Sequence, residues 1–283
     1  MESVLDRVIK QNTENVNLLK TKDYNIFSVL QIQSKEVLIC RMIADLLNPR
    51  GQHGAGAEYL KIFLKDCLEM EKMDTKLADQ AIVTAEYAID DERRIDIVIE
   101  IGSHFLPIEV KIYAADQKSQ CFDYYQYAKR RDAQAKVYYL TLDRHRPGKD
   151  STSSGSQSVP EEDIVCLSFR EHILNWLKAC KNCENTGMIP ILEQFIQNIE
   201  QISGYISEKV RNMVIDELLK SGDSLRAGMQ IADSVNAAKA KLIYQVMEEF
   251  EKQLAGVAEK NHWTREKNSN WYEYKEQADE FFY

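Results

Sequence analysis

The segment RIDIVIEIGSHFLPIEVKI, residues 94–112, decides the fold of this chain because it contains two short runs in which apolar and polar residues alternate. The runs cover residues 94–100 and 106–112, and a period of two is typical of half-buried strands. Gly102 and Ser103 lie between them and predict a turn. We therefore expect two neighbouring strands here that pair as part of a larger sheet.

Three ionisable side chains in this segment form a candidate metal site. Glu109 and Lys111 share one face of the second strand, and Asp96 joins that face if the two strands pair as a hairpin. Mg²⁺ takes oxygen ligands and keeps several waters, so two carboxylates and the Val110 carbonyl would suffice. The ammonium could then orient a water or neutralise a phosphoryl oxygen. A solvated strand edge with alternating charges is the alternative interpretation.

A helix predicted over residues 115–131 brings further polar side chains to the same region. Gln120 and Tyr124 are four residues apart and therefore share one face of that helix. An amide and a phenol in these positions could hold a phosphate or the ammonium of Lys111.

The combined pattern resembles the PD-(D/E)XK nuclease superfamily. The matching residues are Ile95-Asp96, Ile108-Glu109-Val110-Lys111, Asp116-Gln117, Gln120 and Tyr124. The resemblance covers roughly residues 25–180, and Ile95 stands where the family name has proline. It implies a restriction-endonuclease-like core and hydrolysis of phosphodiesters that depends on Mg²⁺ or Mn²⁺, usually in DNA rather than RNA. By the same resemblance, Asp96 and Glu109 bind the metal, and Lys111 assists the attacking water.

The region upstream is similar to the N-terminal part of one bacterial branch of this superfamily. The similar residues are Glu36, Ala44, Leu46-Leu47, Asn48-Pro49, Gly51 and His53-Gly54. In such nucleases a glutamate of the first helix often faces the metal, which makes Glu36 a candidate catalytic and metal-binding residue. A first-turn carboxylate stabilised by the helix dipole is the alternative. Gln120 is a further catalytic candidate, and Gln117 and Tyr124 are candidate contacts to nucleic acid.

The predicted elements outside the hairpin complete a central mixed β-sheet flanked by helices, an α/β fold. We expect a nuclease-like domain over residues 1–187 and a helical extension over residues 188–283. The last stretch of the extension lacks a helix-ending signal, so we expect the natural protein to be longer. The predicted helices cover residues 1–20, 35–47, 55–69 and 170–181, with Ser34 as a cap, and the predicted strands cover residues 81–89, 137–142 and 164–169.

Composition excludes several classes of protein. The 283 residues are 44% hydrophobic, enough to bury a core, and no apolar run approaches the ~20 residues of a membrane span. The N-terminus lacks the basic and apolar blocks of a signal peptide, so we expect a cytoplasmic protein with no membrane partner. Cys180 and Cys183 form a CxxC pair without the second pair that a structural zinc site requires.

Charge is distributed unevenly along the chain, whose net charge is -9. Residues 106–150 contain nine Lys and Arg against six Asp and Glu, so a polyanion is expected to contact the middle of the chain. Glu86 and Glu100 are interpreted as solvated strand residues. The best candidates for phosphate contacts are Lys129, Arg130, Arg131, Arg144 and Arg146, although charge clusters are often only solvated surface.

Two alternatives from other classes stay open. The chain could be a nucleic-acid-binding or regulatory protein on the same fold with weak or no catalysis, but the intact Asp-Glu-Lys set favours an enzyme. It could also be an interaction protein whose helical tail, residues 188–260, forms a homodimer or binds a partner.

Overall fold

The computed structural model describes residues 24–70, 75–183, 185–204 and 208–260. The chain divides into two compact units, the larger of which comprises residues 18–206. The helix predicted over residues 1–20 and the final aromatic stretch lie outside the described residues.

A mixed five-stranded sheet forms the centre of the larger unit, which confirms the predicted fold class. The first three strands form an antiparallel meander, and each of the last two runs parallel to its neighbour. In the order of their hydrogen bonding, the strands are β1 (Ile82–Ala88), β2 (Arg94–Ile101), β3 (His104–Lys111), β4 (Val137–Thr141) and β5 (Ile164–Ser168). A separate short hairpin pairs Ser153–Ser154 with Gln157–Ser158.

Helices cover both faces of this sheet. A π-helical turn over Phe169–Ile173 leads from β5 into the helix that follows it. The helices of the larger unit are α1 (Ile26–Val29), α2 (Glu36–Leu47), α3 (Glu58–Asp66), α4 (Thr75–Ala78), α5 (Gln120–Arg131), α6 (Lys149–Thr152), α7 (Leu174–Cys180) and α8 (Ile189–Ile202).

Two apolar cores, one on each face, hold these layers together. The larger core joins α2, α3, α7 and α8 to one face of the sheet, and the smaller joins α5 to the other. The first includes Ile97 and Ile108, and the second includes Val98 and Phe105, as the alternation along β2 and β3 predicts. On β3, Glu109 and Lys111 follow Phe105 at even spacing and so share the face of the smaller core, at the end of the strand.

Four helices, α2, α3, α5 and α7, begin later than predicted. The residue before α2 is Lys35, not Ser34, and it makes no side-chain capping bond. The helix predicted from residue 115 begins at Gln120, because Ser119 has a φ of 57° and therefore interrupts any regular helix before it. Residues 112–119 consequently form a loop directly after β3.

Helix α8, which follows residue 187, packs in the core of the larger unit. The buried face of α8 carries Leu192, Phe195 and Ile199, which are part of the larger core, and Phe195 stacks on Phe27 at 5.4 Å between ring centroids. The apolar stripe of α8 is thus the face that it turns to the larger core.

The second unit contains the helices α9 (Glu208–Leu218) and α10 (Gly222–Lys260). The 39-residue α10 exposes a stripe of large apolar side chains that includes Val235, Leu242, Val246 and Phe250. Among the described residues, no helix combines the length and the apolar character that crossing a membrane requires.

Candidate functional site

The candidate site begins where the β2–β3 ladder ends. The pairing of these strands runs from Ile101 opposite His104 to Ile97 opposite Ile108. Directly beyond it, Asp96 Oδ2 accepts a hydrogen bond from the Val110 amide at 2.7 Å. A side-chain oxygen here binds a backbone donor of the neighbouring strand, and this holds the Asp96 carboxylate beside Glu109.

Glu109 and Lys111 occupy the same face of β3, as the alternation predicts, and both are buried, with 2% and 6% of their surface exposed. Lys111 Nζ lies 2.7 Å from Glu109 Oε1. Glu109 Oε2 is also buried and receives no hydrogen bond from a donor group, while its carboxyl lies within hydrogen-bond reach of the Asp96 carboxyl, so that the two oxygens need a shared proton or a cation between them. A buried acceptor without a partner costs about 1–3 kcal/mol, and a bound cation would remove this cost.

The three groups shift one another's protonation equilibria. Burial raises the pKa of Asp96, although the hydrogen bond from Val110 opposes this. Burial and then the Asp96 charge raise the pKa of Glu109 well above its usual range. Burial acts to lower the pKa of Lys111, but the surrounding carboxylates outweigh it and the pKa lies above its usual value. Lys111 is therefore a cation at neutral pH, and the carboxylates carry unfavourable excess negative charge.

Glu36 connects the first long helix to the end of β3. It lies in the first turn of α2, and its Oε2 accepts a hydrogen bond from the Ile112 amide at 2.8 Å. Its charge acts on both Asp96 and Lys111. The structure thus brings Glu36 to the cluster, as the resemblance implies.

Tyr124 and Gln120 lie under the site rather than on its surface. Tyr124 is 1% exposed, and its hydroxyl donates to the Arg94 carbonyl at 2.5 Å and accepts from Gln120 Nε2 at 3.0 Å. Gln120 Oε1 in turn accepts from the Gln117 amide at 3.4 Å. Direct contact of Tyr124 with nucleic acid does not agree with this burial. The pair instead fixes the backbone next to Asp96.

The loop after β3 is held by Arg93. Its guanidinium donates to Asp123 Oδ2 at 3.0 Å, to Gln117 Oε1 at 2.8 Å and to the Lys118 carbonyl at 2.6 Å. The side-chain oxygen of Gln117, Oε1, is therefore already bonded to Arg93. The Lys118 side chain is exposed in the same loop.

The basic cluster on α5 points away from the carboxylates. Lys129 Nζ pairs with Asp163 at 3.2 Å, and Arg131 pairs with Glu100 at 2.7 Å. Glu100 is four residues along β2 from Asp96, which corresponds to about 13 Å. Arg130 lies over the Tyr127 ring, 5.6 Å from its centroid. The structure does not bring this cluster to the site.

Arg144 and Arg146 lie on the loop that leaves the sheet beside Lys111. Strands β3 and β4 are parallel, and Lys111 is in register with Thr141, the last residue of β4. The loop is fixed by two hydrogen bonds of Asp116, which accepts from Tyr139 and from the Gly148 amide, both at 2.7 Å. Arg144 Nε donates to the Cys166 carbonyl and Arg146 Nη2 to the Glu161 carbonyl, both at 3.1 Å, so these guanidiniums lie toward β5 but, unlike Lys129 and Arg131, are not paired with a carboxylate in the described part of the chain.

The donor set fits a single small divalent cation. In the described part of the chain, no group of three or more His, Cys, Asp and Glu side chains is spaced to hold a metal ion. The unpartnered Glu109 Oε2 beside the Asp96 carboxylate supplies hard oxygen ligands, and Mg²⁺ is commonly bound by one or two carboxylates with waters completing its shell. Asp96 and Glu109 are the residues that would hold such an ion.

The chain matches a known protein family over much of its length. Residues 24–207, more than half of the chain, match the family model described as the PD-(D/E)XK nuclease superfamily. No curated protein matches the chain, and no solved structure matches it.

Proposed function

The chain belongs to the PD-(D/E)XK nuclease superfamily, and from this premise we propose that it is a nuclease that hydrolyses phosphodiester bonds in nucleic acid with the aid of Mg²⁺ or Mn²⁺. We propose DNA as the substrate. The observation that carries the proposal is the buried, unpartnered Glu109 Oε2 beside Asp96 and the Lys111 ammonium. A purely structural ion pair would satisfy both oxygens.

Each side chain of the cluster has a separate task in this proposal. Asp96 and Glu109 bind the cation, which would supply a water of lowered pKa and offset charge on the phosphate. Lys111 orients the attacking water and stabilises the negative charge that grows on the phosphate. Glu36 holds the end of β3 through the Ile112 amide. Gln120 and Tyr124 hold the strand that carries Asp96.

The proposal is tested by incubating the purified chain with linear, circular and single-stranded DNA and with RNA, in Mg²⁺, Mn²⁺ or EDTA. We expect cleavage of DNA with either metal and none in EDTA. Equal cleavage in EDTA would contradict metal dependence, and cleavage of RNA alone would contradict the proposed substrate.

A nucleic-acid-binding protein with weak or no catalysis is the alternative on the same fold. It predicts binding without cleavage in every metal tested. The burial of Lys111 against Glu109 favours the enzyme, because burying two charged groups is costly and a binding surface would not require it.

The loop after β4 leads to a prediction about binding. Replacing Arg144 and Arg146 together by glutamine should weaken DNA binding in EDTA and reduce the magnitude of its salt slope by about 1–2, because fewer counterions are released. The matched control replaces Lys129 and Arg131, whose charges are already paired with Asp163 and Glu100. Binding titrations at several salt concentrations measure both. A larger effect in the control pair would place the DNA on α5 instead.

We also propose that the chain forms a homodimer through α10. Its exposed Leu242, Val246 and Phe250 lie on one side of the helix at spacings of four residues. Light scattering of the full chain, compared with a variant in which these three residues are replaced by lysine, measures the proposed association.

A further inference from the structure

The side-chain alternation of the sheet slips by one residue beside the candidate site. Ala85 of β1 and Ile97 of β2 are opposite each other and pack in the larger core. Two residues further along, Tyr87 and Ile95 are also opposite each other, yet they pack in the core on the other face of the sheet. Residues two apart on a regular strand face the same side, so both strands are distorted between these pairs.

Glu86 lies at this distortion, and its register places it opposite Asp96. Its φ of 53° is in the left-handed region, which a residue with a side chain adopts in the middle of a strand only at a cost of about 1–3 kcal/mol. Such strain persists only where the surrounding structure holds it, and it is common at functional sites. The conformation directs the Glu86 side chain to α2.

On α2, Glu86 Oε2 accepts two hydrogen bonds from Arg41, one from Nε at 3.0 Å and one from Nη2 at 2.6 Å. The Arg41 side chain remains 58% exposed. A guanidinium has five N–H donors, so three are still available to a ligand in solvent. This ion pair ties Arg41 to the end of the sheet where Asp96 lies, because Glu86 stands between Ala85 and Tyr87, whose partners Ile97 and Ile95 flank Asp96.

We propose that Arg41 binds a phosphate of the nucleic-acid backbone beside the Asp96–Glu109 pair, and that Glu86 is the positioning residue that holds its guanidinium. This inference rests on the proposed function, because it assigns a substrate contact of the same site. A planar guanidinium held along one edge presents its remaining donors in a fixed direction, the geometry that suits bidentate phosphate binding.

The charges of the site explain why such a contact is needed. Asp96, Glu109, Glu36 and Glu86 would all repel a phosphate backbone, and Lys111 is buried against Glu109. Arg41 is an exposed cation that a direct ion pair with Glu86 ties to this acidic group. It offsets the repulsion at the point where the backbone approaches the buried carboxylates.

The first test is binding of fluorescein-labelled DNA by anisotropy, in EDTA so that no cleavage occurs, from low to high salt. We expect Arg41→Gln to raise Kd roughly 5- to 10-fold and to lower the magnitude of the salt slope by about 1. The matched control is Arg226→Gln, since Arg226 is an exposed arginine paired with Asp223 on α10. It removes the same charge and should change neither quantity.

The second test separates positioning from simple electrostatics. Glu86→Gln removes a negative charge, so a purely electrostatic role predicts tighter DNA binding. Positioning predicts the opposite, a weaker affinity with an unchanged salt slope, because Arg41 keeps its charge but its guanidinium is no longer held in one orientation. Thermal unfolding of each variant shows that the fold is retained.

Unchanged affinity and slope in Arg41→Gln would overturn the inference, as would a parent chain that binds no DNA. Tighter binding by Glu86→Gln would remove Glu86 from the positioning role. If the parent binds DNA but cleaves none in any metal, the proposed nuclease function fails, while the anisotropy measurements still decide the role of Arg41.

Discussion

Replacing Lys111 by alanine should lower the rate of DNA cleavage by about 10²-fold or more, the size observed when one donor that stabilises a transition state is removed. The Lys111 ammonium is buried and lies 2.7 Å from Glu109 Oε1. It is placed to stabilise charge that develops during the reaction, so kcat should fall much more than affinity for DNA. Single-turnover cleavage and anisotropy in EDTA measure the two effects separately.

Lys111→Met is the companion variant because it keeps much of the side-chain volume and removes the charge. We expect it to be nearly as inactive as Lys111→Ala. Lys149→Ala, an exposed lysine of α6, is the control and should cleave at the parent rate. Parent-like cleavage by both Lys111 variants would mean that the activity arises at another site or from a contaminant.

Asp96→Asn and Glu109→Gln should each weaken Mn²⁺ binding by more than about 100-fold, since even the loss of a group that only supports a ligand costs 10- to 100-fold. Both substitutions keep the shape of the side chain and remove one charge. Calorimetry with Mn²⁺ measures the affinity directly, without DNA or turnover. Unchanged affinity in both variants would rule out this pair as the metal site.

Without metal, the same substitution at Glu109 should stabilise the protein. Because its pKa is raised in the folded state, folding favours the protonated form, and the parent loses stability as pH rises above the ordinary carboxyl range. In EDTA at neutral pH we expect Glu109→Gln to raise the free energy of unfolding by about 1 kcal/mol. This gain in stability should vanish at low pH. Glu193→Gln, at an exposed ion pair, is the control. A less stable Glu109→Gln at neutral pH would contradict this expectation.

The core of the site could be predicted from the sequence because it depends on alternation within two adjacent strands. The period of two put Glu109 and Lys111 on one face, and the short turn brought Asp96 to them. The resemblance added Glu36, whose contact with Ile112 spans 76 residues and leaves no local signal in the sequence.

Other features could not be predicted because they depend on tertiary contacts. The alternation of β1 continues through Glu86 in the sequence, and only the backbone of the folded strand shows that it slips there. The ion pairs of Lys129 and Arg131 join elements distant in the chain, so the sequence could not show that these charges are engaged. The apolar stripe of α8 has the same pattern whether it packs on its own domain or on a partner.

The site also has an order of assembly that follows from the chain distances of its contacts. The Asp96–Val110 bond closes 14 residues, whereas the Glu36–Ile112 bond closes 76. The second loop costs about 1.5 kcal/mol more in chain entropy, because the cost of closure grows with the logarithm of length. We therefore expect the two carboxylates to come together in a local hairpin early in folding, and α2 to dock later with Glu36 and Arg41. Weakening α2 should then accelerate unfolding more than it slows folding.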